Sequence, residues 1–299
     1  MRRVCGSFRS HGSSACGSSR LCSSAWRSAR SRCREAKMTR YMSLYWLFLL
    51  QRLKALMEYR ASFILGATST IIWQGSSIAA VWVVMQNVPS LNGWNYDEVL
   101  MVYGIITLAK SINHMFADNL WTVGRVYIRA GGFDRFLVRP IDPLFHLLAD
   151  RFCQDGVGNF IVGLALVVKA SVDLDITWTP LMVAMLAVGV ISGGFIFIAL
   201  NLITCVSSFW IIDSVPITRL VFDNHLFAQY PLSIYPKAIS ILLTWVIPYG
   251  FASFYPASYL LGREMGNLAW VSPLIAAFLM FIGYRFWQFG LKYYSGTGS

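Results

Sequence analysis

The chain has 299 residues, a mean hydropathy of +0.55 and only 13% charged residues, a composition that excludes an ordinary soluble globular domain. Its net charge of +11 arises mainly within residues 1–37, so it does not indicate a nucleic-acid-binding protein. Four stretches lack Asp, Glu, Lys and Arg and reach the roughly 20 residues that cross a bilayer; they are 61–96, 176–212, 238–262 and 265–284. We therefore predict a single all-α integral membrane domain over residues 38–299, embedded in the lipid bilayer, with its backbone polar groups satisfied inside helices.

Residues 1–37 form a basic extension rich in Ser, Arg and Cys, which we predict to be disordered. It contains no apolar run and is therefore no secretory signal. Either it is an organellar transit peptide, which its composition superficially resembles, or the start codon lies too far upstream and Met38 is the first residue. Four of the six cysteines lie here without zinc-site spacing, while Cys153 and Cys205 are predicted to be small core residues within spans.

The chain after Met38 begins with a stretch, Tyr41 to Tyr59, that is apolar at first and then charged. We predict an N-terminal interfacial helix there, because charges interrupt it before a full span is complete. A first span is expected at Ser62–Val84, and its small residues favour close helix contact. Residues 87–98 are polar, and Asn92-Gly93 predicts a turn on the external side.

The second span, Val99–Leu120, carries Lys110, His114 and Asp118 at intervals of four, so these side chains share one helical face. Because a charge in hydrocarbon is costly, this face should point at protein or water. It is either a polar lining for cargo or, the interpretation we favour, a structural charge pair. The third span, Phe145–Val168, carries Asp155 at the same depth as Lys110, roughly 15 Å from the intervening loop, so we predict a Lys110–Asp155 ion pair.

The loop between the second and third spans, Arg125 to Leu144, carries four arginines. Gly131-Gly132 and the pair Pro140 and Pro143 interrupt any long helix and leave a short helical candidate, Phe133–Val138. Phe133, Phe136 and Leu137 recur at i, i+3 and i+4, which places them on one face. The pattern fits an amphipathic helix that docks into a groove on another protein, or a positive loop that only fixes the topology.

The fourth span, Leu181–Val206, contains Gly189 and Gly193 at the spacing that favours tight helix contact. Residues 210–235 are predicted to be cytoplasmic, with His225 alone providing no metal site. A fifth span is predicted from Pro236, kinked at Pro248, and a sixth at Leu268–Phe289.

Six spans place both termini on one side of the membrane. On this topology 13 Lys and Arg residues after Met38 lie inside, and only Lys169 and Arg263 lie outside. This asymmetry predicts cytoplasmic termini and a cytoplasmic arginine-rich loop.

Enzymatic signals are lacking in the sequence. It contains no Gly-x-x-x-x-Gly-Lys-Ser/Thr phosphate loop, no nucleophile–base arrangement and no metal-ligand cluster. We therefore predict no catalytic residue, no metal and no cofactor bound by this chain.

Four stretches together resemble a known family: GFDRFLVRPIDPL (132–144), YPLSIYP (230–236), IPYGFASFYPA (247–257) and GLKYYSGTGS (290–299). In order, they are similar to the bacterial type-two ATP-binding-cassette permeases, and the resemblance covers roughly residues 38–299. Because the resemblance begins near Met38, it favours Met38 as the true first residue, with the start codon placed too far upstream, over a transit peptide.

The resemblance implies a permease, an exporter by family likeness, in the bacterial plasma (inner) membrane. Two cytoplasmic ATPase subunits would bind ATP and Mg²⁺, and a second permease chain, identical or homologous, would complete the transporter. It also implies a coupling helix after the second span and short re-entrant helices in the outer leaflet between the fifth and sixth spans. The residues that this assigns to ATPase coupling are Gly132, Phe133, Asp134, Arg135, Phe136, Leu137, Arg139, Pro140 and Pro143.

In that arrangement Phe133, Phe136 and Leu137 would fill the ATPase groove, Arg135 and Arg139 would pair with its acids, and the prolines would stiffen the loop. Asp134 could instead cap or pair locally. Two other classes stay open on the sequence: a channel or secondary transporter that works alone, and a membrane-embedded enzyme or assembly factor.

Overall fold

The computed structural model describes residues 60–88, 90–150, 153–211 and 213–294, with scattered positions between 43 and 58. The predicted disordered extension, residues 1–37, lies outside the described residues, and so does the greater part of the predicted interfacial helix. From Arg60 onward the described α-helices are α1 Arg60–Asn87, α2 Tyr96–Ala117, α3 Asp134–Val138, α4 Pro143–Ala149, α5 Asp155–Asp173, α6 Pro180–Cys205, α7 Val215–Phe222, α8 Lys237–Ile241, α9 Phe254–Leu260 and α10 Ser272–Gly290.

Shorter helical turns extend several of these helices. A 3₁₀ turn, Asp118–Thr122, and a π turn, Val123–Ile128, continue α2; further 3₁₀ or π segments are Val206–Phe209, Asp223–Gln229, Leu232–Ile234, Leu242–Val246, Tyr249–Ala252, Glu264–Val271 and Leu291–Tyr293. Five helical runs in the described chain are long and apolar enough to cross a membrane: Phe63–Asn87, Tyr96–Ile128, Asp155–Asp173, Pro180–Phe209 and Glu264–Tyr293. Four of these candidate spans coincide with the predicted first, second, fourth and sixth spans.

Helix α2 is the centre of the bundle and packs against both α5 and α6. Glycines make these contacts close: a Cβ at Gly163 of α5 would lie 2.9 Å from the Leu108 nitrogen, and one at Gly193 of α6 would lie 2.8 Å from the Ala109 Cβ. The close contact that the Gly189/Gly193 spacing predicts is therefore confirmed. Because glycine has no side chain, the helix backbones approach closely and make many dispersion contacts.

The bundle has two ends, which we name after residues found there. At the Asn92 end, Asn92 and Gly93 both have positive φ, of 50° and 79°. They form the predicted turn, in which the Leu91 and Trp94 backbones bond to each other. At the Arg125 end, the Arg125 Nη2 donates to the Asp213 Oδ2 at 2.7 Å.

The chain crosses the bundle between Asp213 and Ser233, which corrects the cytoplasmic placement predicted for residues 210–235. Asp213 lies at the Arg125 end, whereas Ser233 accepts hydrogen bonds from the Trp94 indole and the Asn92 amide at the other end. We call residues 213–233 the crossing segment. Sequence patterns missed it because α7 and the 3₁₀ turn that follows are each far shorter than a span.

A single fifth helix starting at Pro236 is not formed. Residues 237–246 are helical, but the helix ends before Pro248, which lacks the N–H that a continuing helix needs. The chain then returns along α6, with Pro256 against Gly189, to Arg263, which bonds to the Gly93 carbonyl at the Asn92 end. Residues 237–262 therefore enter and leave at one end, and Lys237 is not at the Arg125 end.

The predicted third span is also divided. Helix α4 ends at Ala149, and α5 begins at Asp155 and continues to Asp173. Cys205 is buried in α6 as predicted, but Cys153 is half-buried and precedes α5 rather than lying within a span.

Candidate coupling site and intramembrane polar face

The arginine-rich loop folds into two short helices at the Arg125 end. Gly131 adopts φ of +70°, which glycine accepts at little cost, and Arg139 is extended, as favoured before Pro140. The Asp142 carboxylate accepts hydrogen bonds from the backbone N–H groups of Leu144 and Phe145, and Pro143 occupies the first turn of α4. A predicted helix at Phe133–Val138 is thus found as α3, Asp134–Val138, with a capped helix after it.

Aromatic side chains hold the inner face of α3 against the bundle. Phe133 and Phe136 are fully buried, and the Phe133 ring lies 5.7 Å from Phe209, 6.1 Å from Trp287 and 4.9 Å from Tyr294, centroid to centroid. These distances are typical of favourable tilted and edge contacts. In this conformation Phe133 and Phe136 are not available to fill a groove on a partner, because their own bundle already encloses them.

The charged side chains of the loop also find partners within the chain. The Arg135 Nη2 donates to the Asp150 Oδ2 at 2.9 Å, and its guanidinium lies 4.8 Å from the Phe136 ring centroid. The Arg139 Nη1 donates to the His146 Nε2 at 3.0 Å. The expected pairing of Arg135 and Arg139 with acids of another subunit is replaced here by these internal contacts.

Asp134 is paired within the chain, but with a residue distant in sequence, so neither the cap nor the local pair that we considered is formed. The Tyr294 hydroxyl donates to its Oδ1 at 2.9 Å, and the Tyr284 hydroxyl donates to the Asp142 Oδ2 at 3.2 Å. Two tyrosine–aspartate hydrogen bonds therefore connect the loop to the end of α10. The Asp142-Pro143 dipeptide is a helix-start signal that sequence reasoning could have used, whereas no sequence signal points to Tyr284 or Tyr294.

The outer face of α3 remains exposed. Val138 is 84% exposed and Leu137 is 43% exposed, and the backbone turns sharply after them at Arg139 and Pro140, which are exposed as well. The three residues predicted to share a face therefore divide, with two inside and Leu137 outside. What the loop offers a partner is a small apolar patch beside a guanidinium, on a rigid base.

Three pKa values in this region are displaced. Burial and the neighbouring Arg139 guanidinium lower the pKa of His146. Burial and the hydrogen bond to Asp134 raise the pKa of Tyr294 to about 12. The hydrogen bond from Arg125 lowers the pKa of Asp213, helped by a bond from the Val215 N–H.

The polar face of α2 points at protein, as predicted. Lys110 is buried, and its Nζ donates to the His225 Nε2 at 3.4 Å in the crossing segment. The His225 Nδ1 lies 2.7 Å from the Phe222 carbonyl, which can only accept, so the ring proton is on Nδ1 and Nε2 accepts from lysine. The His114 Nδ1 lies 3.3 Å from the Asp118 Oδ1.

Asp155 does not pair with Lys110. Within the described chain the Lys110 Nζ has no carboxylate at ion-pair distance. The depth estimate was sound, since Gly156 lies against Ser111 and Met115. Lys110, however, is rotated about 130° around the α2 axis from the residues that face α5, at 100° per residue. Depth alone therefore could not predict the pair.

Among the described residues, no three His, Cys, Asp or Glu side chains cluster in the way that metal ligands would. What the Arg125 end does present is a loop between two membrane-spanning helices with an exposed apolar tip and a base fixed to α10.

A family model described as ABC-2 family transporter protein matches residues 71–298. Comparisons with curated proteins and with solved structures find no significant match. The matched region includes the arginine-rich loop, the crossing segment and every described candidate span except the start of α1. With its several apolar helices, this chain is a multi-pass membrane protein that belongs to the ABC-2 family of transporter proteins.

Proposed function

We propose that the chain is the membrane-spanning permease subunit of an ABC transporter, an exporter, driven by separate ATPase subunits that dock on the coupling loop, residues 132–143. One observation carries the proposal: Leu137 and Val138 are exposed on a helix whose opposite face is fully buried. A solvent-exposed apolar tip on an anchored base suits insertion into a groove of another protein, since its rigidity reduces the entropy lost on binding.

The partner's groove would have an apolar floor for Leu137 and Val138 and acidic groups near Arg139. Arg129 lies in the same loop region and is exposed, so the surface around the tip is basic. Charge complementarity of this kind steers association more than it adds affinity. ATP and Mg²⁺ would belong to the partner.

Movement of the loop would reach the bundle along two routes. The turns Asp118–Thr122 and Val123–Ile128 join the loop to α2, and the Asp134–Tyr294 and Asp142–Tyr284 hydrogen bonds join it to α10. When the ATPases close on ATP, a push on α3 would tilt both helices together. Two permease halves would then rock between inward-open and outward-open forms.

The assembly we propose has two permease chains, identical or homologous, and two ATPases, in a bacterial inner membrane with both termini in the cytoplasm. The start of α1 and the residues after α10 both lie at the Arg125 end, since Gly66 lies against Gln154 near the start of α5 and Tyr294 bonds to Asp134. Placing Lys237 at the other end leaves 12 basic residues inside and three outside, so the excess of positive charge still supports this orientation.

The experiment is co-purification with the ABC ATPase encoded by a neighbouring gene. Leu137→Ser combined with Val138→Ser should weaken ATPase association about tenfold, because the buried anchor residues of an interface dominate its affinity. Val172→Ser is the matched control, since Val172 is 67% exposed near the end of α5, remote from the loop. Unchanged ATPase retention by the double variant, or solute movement by the purified chain alone, would reject the proposal.

A further inference from the structure

An open cleft of about 720 Å³ lies beside α7 at the Arg125 end, and no part of the coupling proposal uses it. It begins where two spans finish, because Arg125 lies in the last turns of the run Tyr96–Ile128 and Asp213 follows the run Pro180–Phe209 by four residues. Its lining residues are Arg125, Asp213, Val215, Pro216, Arg219, Leu220, Asp223, Asn224, Leu226 and Phe227.

Two opposite charges in this cleft are left without partners. Arg125 and Asp213 bond to each other, but the side chains of Arg219 and Asp223 make no hydrogen bond or ion pair within the part of the chain that the structure describes. They are exposed and one helical turn apart, since the Asp223 N–H donates to the Arg219 carbonyl. A cation placed N-terminal to an acid is the less favourable order for pairing along a helix, so both groups stay available to a ligand.

Apolar side chains lie next to these charges. Leu220 is 73% exposed, Leu226 is 49% exposed and Phe227 is 46% exposed. Charged groups at the edge of a membrane bundle must contact protein, water or head groups, because hydrocarbon does not solvate them. The cleft thus combines a cation, an anion and an apolar wall, and it begins beside the ends of two candidate spans.

We propose that this cleft binds a zwitterionic phospholipid whose head group carries a phosphate and an ammonium. The phosphate would bond to the Arg219 guanidinium, the ammonium to the Asp223 carboxylate, and the acyl chains would lie on Leu220, Leu226 and Phe227. Arg219 and Asp223 sit as far apart as neighbouring helical turns, which suits two charges joined by a two-carbon bridge. A purely anionic lipid fits less well, since its phosphate would also meet the Asp223 carboxylate while Asp213 already neutralises Arg125.

This inference is independent of the ATPase, so it can fail while the proposed function stands. The test uses the full chain, delipidated in detergent, with bound lipid measured by native mass spectrometry. The probes are phosphatidylethanolamine, phosphatidylglycerol and diacylglycerol with identical acyl chains. Phosphatidylethanolamine should bind best and diacylglycerol least, since charge-assisted hydrogen bonds are the strong polar contacts.

The two cleft variants should respond differently. Arg219→Gln should weaken binding of both phospholipids about tenfold. Asp223→Asn should weaken phosphatidylethanolamine about tenfold but strengthen phosphatidylglycerol, because it removes a repulsive carboxylate. Lys237→Gln and Glu264→Gln change charge outside the cleft and should leave all three lipids unaffected. Opposite responses to the two lipids cannot arise from unfolding.

Three outcomes would overturn the proposal. One is equal binding of diacylglycerol and phosphatidylethanolamine. Another is a response of Arg219→Gln and Asp223→Asn that matches the controls. The third is occupation of the cleft by a second copy of the chain. In that case Leu226→Cys would form a disulfide-linked dimer, and the yield of dimer would be equally full in lipid-saturated and in delipidated protein.

Discussion

Helix α5 and the crossing segment both run beside α2 from one end of the bundle to the other, but they are attached by different chemistry. α5 is an unbroken helix of 19 residues that meets α2 through glycines, with backbone against side chain. The crossing segment is a helix of eight residues followed by 3₁₀ turns, held by aromatic rings and by the Lys110–His225 hydrogen bond.

The difference shows two ways in which a segment can pack stably inside a membrane bundle. A glycine contact gains dispersion energy through closeness and has no space for an added atom. The crossing segment instead surrounds its polar groups with protein: the His225 ring lies 4.7 Å from Phe222 and 6.0 Å from Phe197, centroid to centroid. Its contacts use larger side chains that can repack, so it should tolerate change that α5 does not.

The largest effect is expected from filling the glycine contact. Gly163→Leu places a side chain where even a Cβ would lie 2.9 Å from the Leu108 nitrogen, so we expect destabilisation of about 3 kcal/mol or more. Gly75→Leu is the matched control, because no atom lies within 4 Å of a Cβ built there. Thermal unfolding in detergent measures both variants, and equal stability would remove the contrast between α5 and the crossing segment.

Next in size is the buried polar contact of the crossing segment. His225→Leu leaves the Lys110 amine without its hydrogen-bond acceptor and should cost about 2 kcal/mol, whereas adding Lys110→Met should recover much of the loss. A double-mutant cycle in thermal unfolding measures the coupling. In the same cycle with Asp155→Asn and Lys110→Met the two effects on stability should be additive, since those side chains do not meet. Strong coupling between them would show that the predicted Lys110–Asp155 ion pair does form.

A smaller effect should follow at the Asn92 end, where Arg263 holds the returning chain. Its Nη2 donates to both carboxylate oxygens of Glu98, at 2.8 and 2.7 Å, and its guanidinium lies 3.8 Å from the Trp94 ring centroid. Arg263→Gln should cost about 1–2 kcal/mol. Hydrogen exchange should rise in residues 249–262 and stay unchanged in α5. Uniformly faster hydrogen exchange would show that residues 249–262 do not open independently of α5.

The smallest effect concerns the solvent-exposed pair at the start of the crossing segment. Arg125 lowers the pKa of Asp213 below its ordinary value of 3.8. A lowered native pKa gives stability that is present above the unfolded pKa and lost as the pH falls through the native one, so the contribution begins to fall below about pH 4 and is gone below the native pKa. Arg125→Gln should raise the pKa of Asp213, as followed by NMR of labelled aspartate, and should have little effect at neutral pH. An unchanged pKa would mean that the pair is not formed in solution.

Much of the fold was predictable where one residue pattern determines one structure. The apolar runs gave the first, second, fourth and sixth spans, Asn92-Gly93 gave a turn, and Gly189 with Gly193 gave a close contact. The short helix of the arginine-rich loop was predicted to within one residue because Gly131-Gly132 and the prolines bound it. Each of these signals depends on residues that are close together in sequence.

The candidate site was less predictable, because orientation around a helix depends on what packs there. Periodicity placed Phe133, Phe136 and Leu137 on one face, but whether that face turns toward the bundle or toward a partner depends on Phe209, Trp287 and Tyr294, which are distant in sequence. Similarly, depth counting could not show that Lys110 turns toward His225 rather than Asp155.

The sequence by itself determined that the chain crosses a membrane several times and that its arginines gather in one loop, because hydropathy and charge are properties of the residues alone. Only the tertiary structure decided where the irregular residues 213–262 run and which loop side chains stay exposed. Short helices contain too few residues for hydropathy or periodicity to predict their path. Their positions depend on the spaces and hydrogen-bond partners that the long helices leave for them.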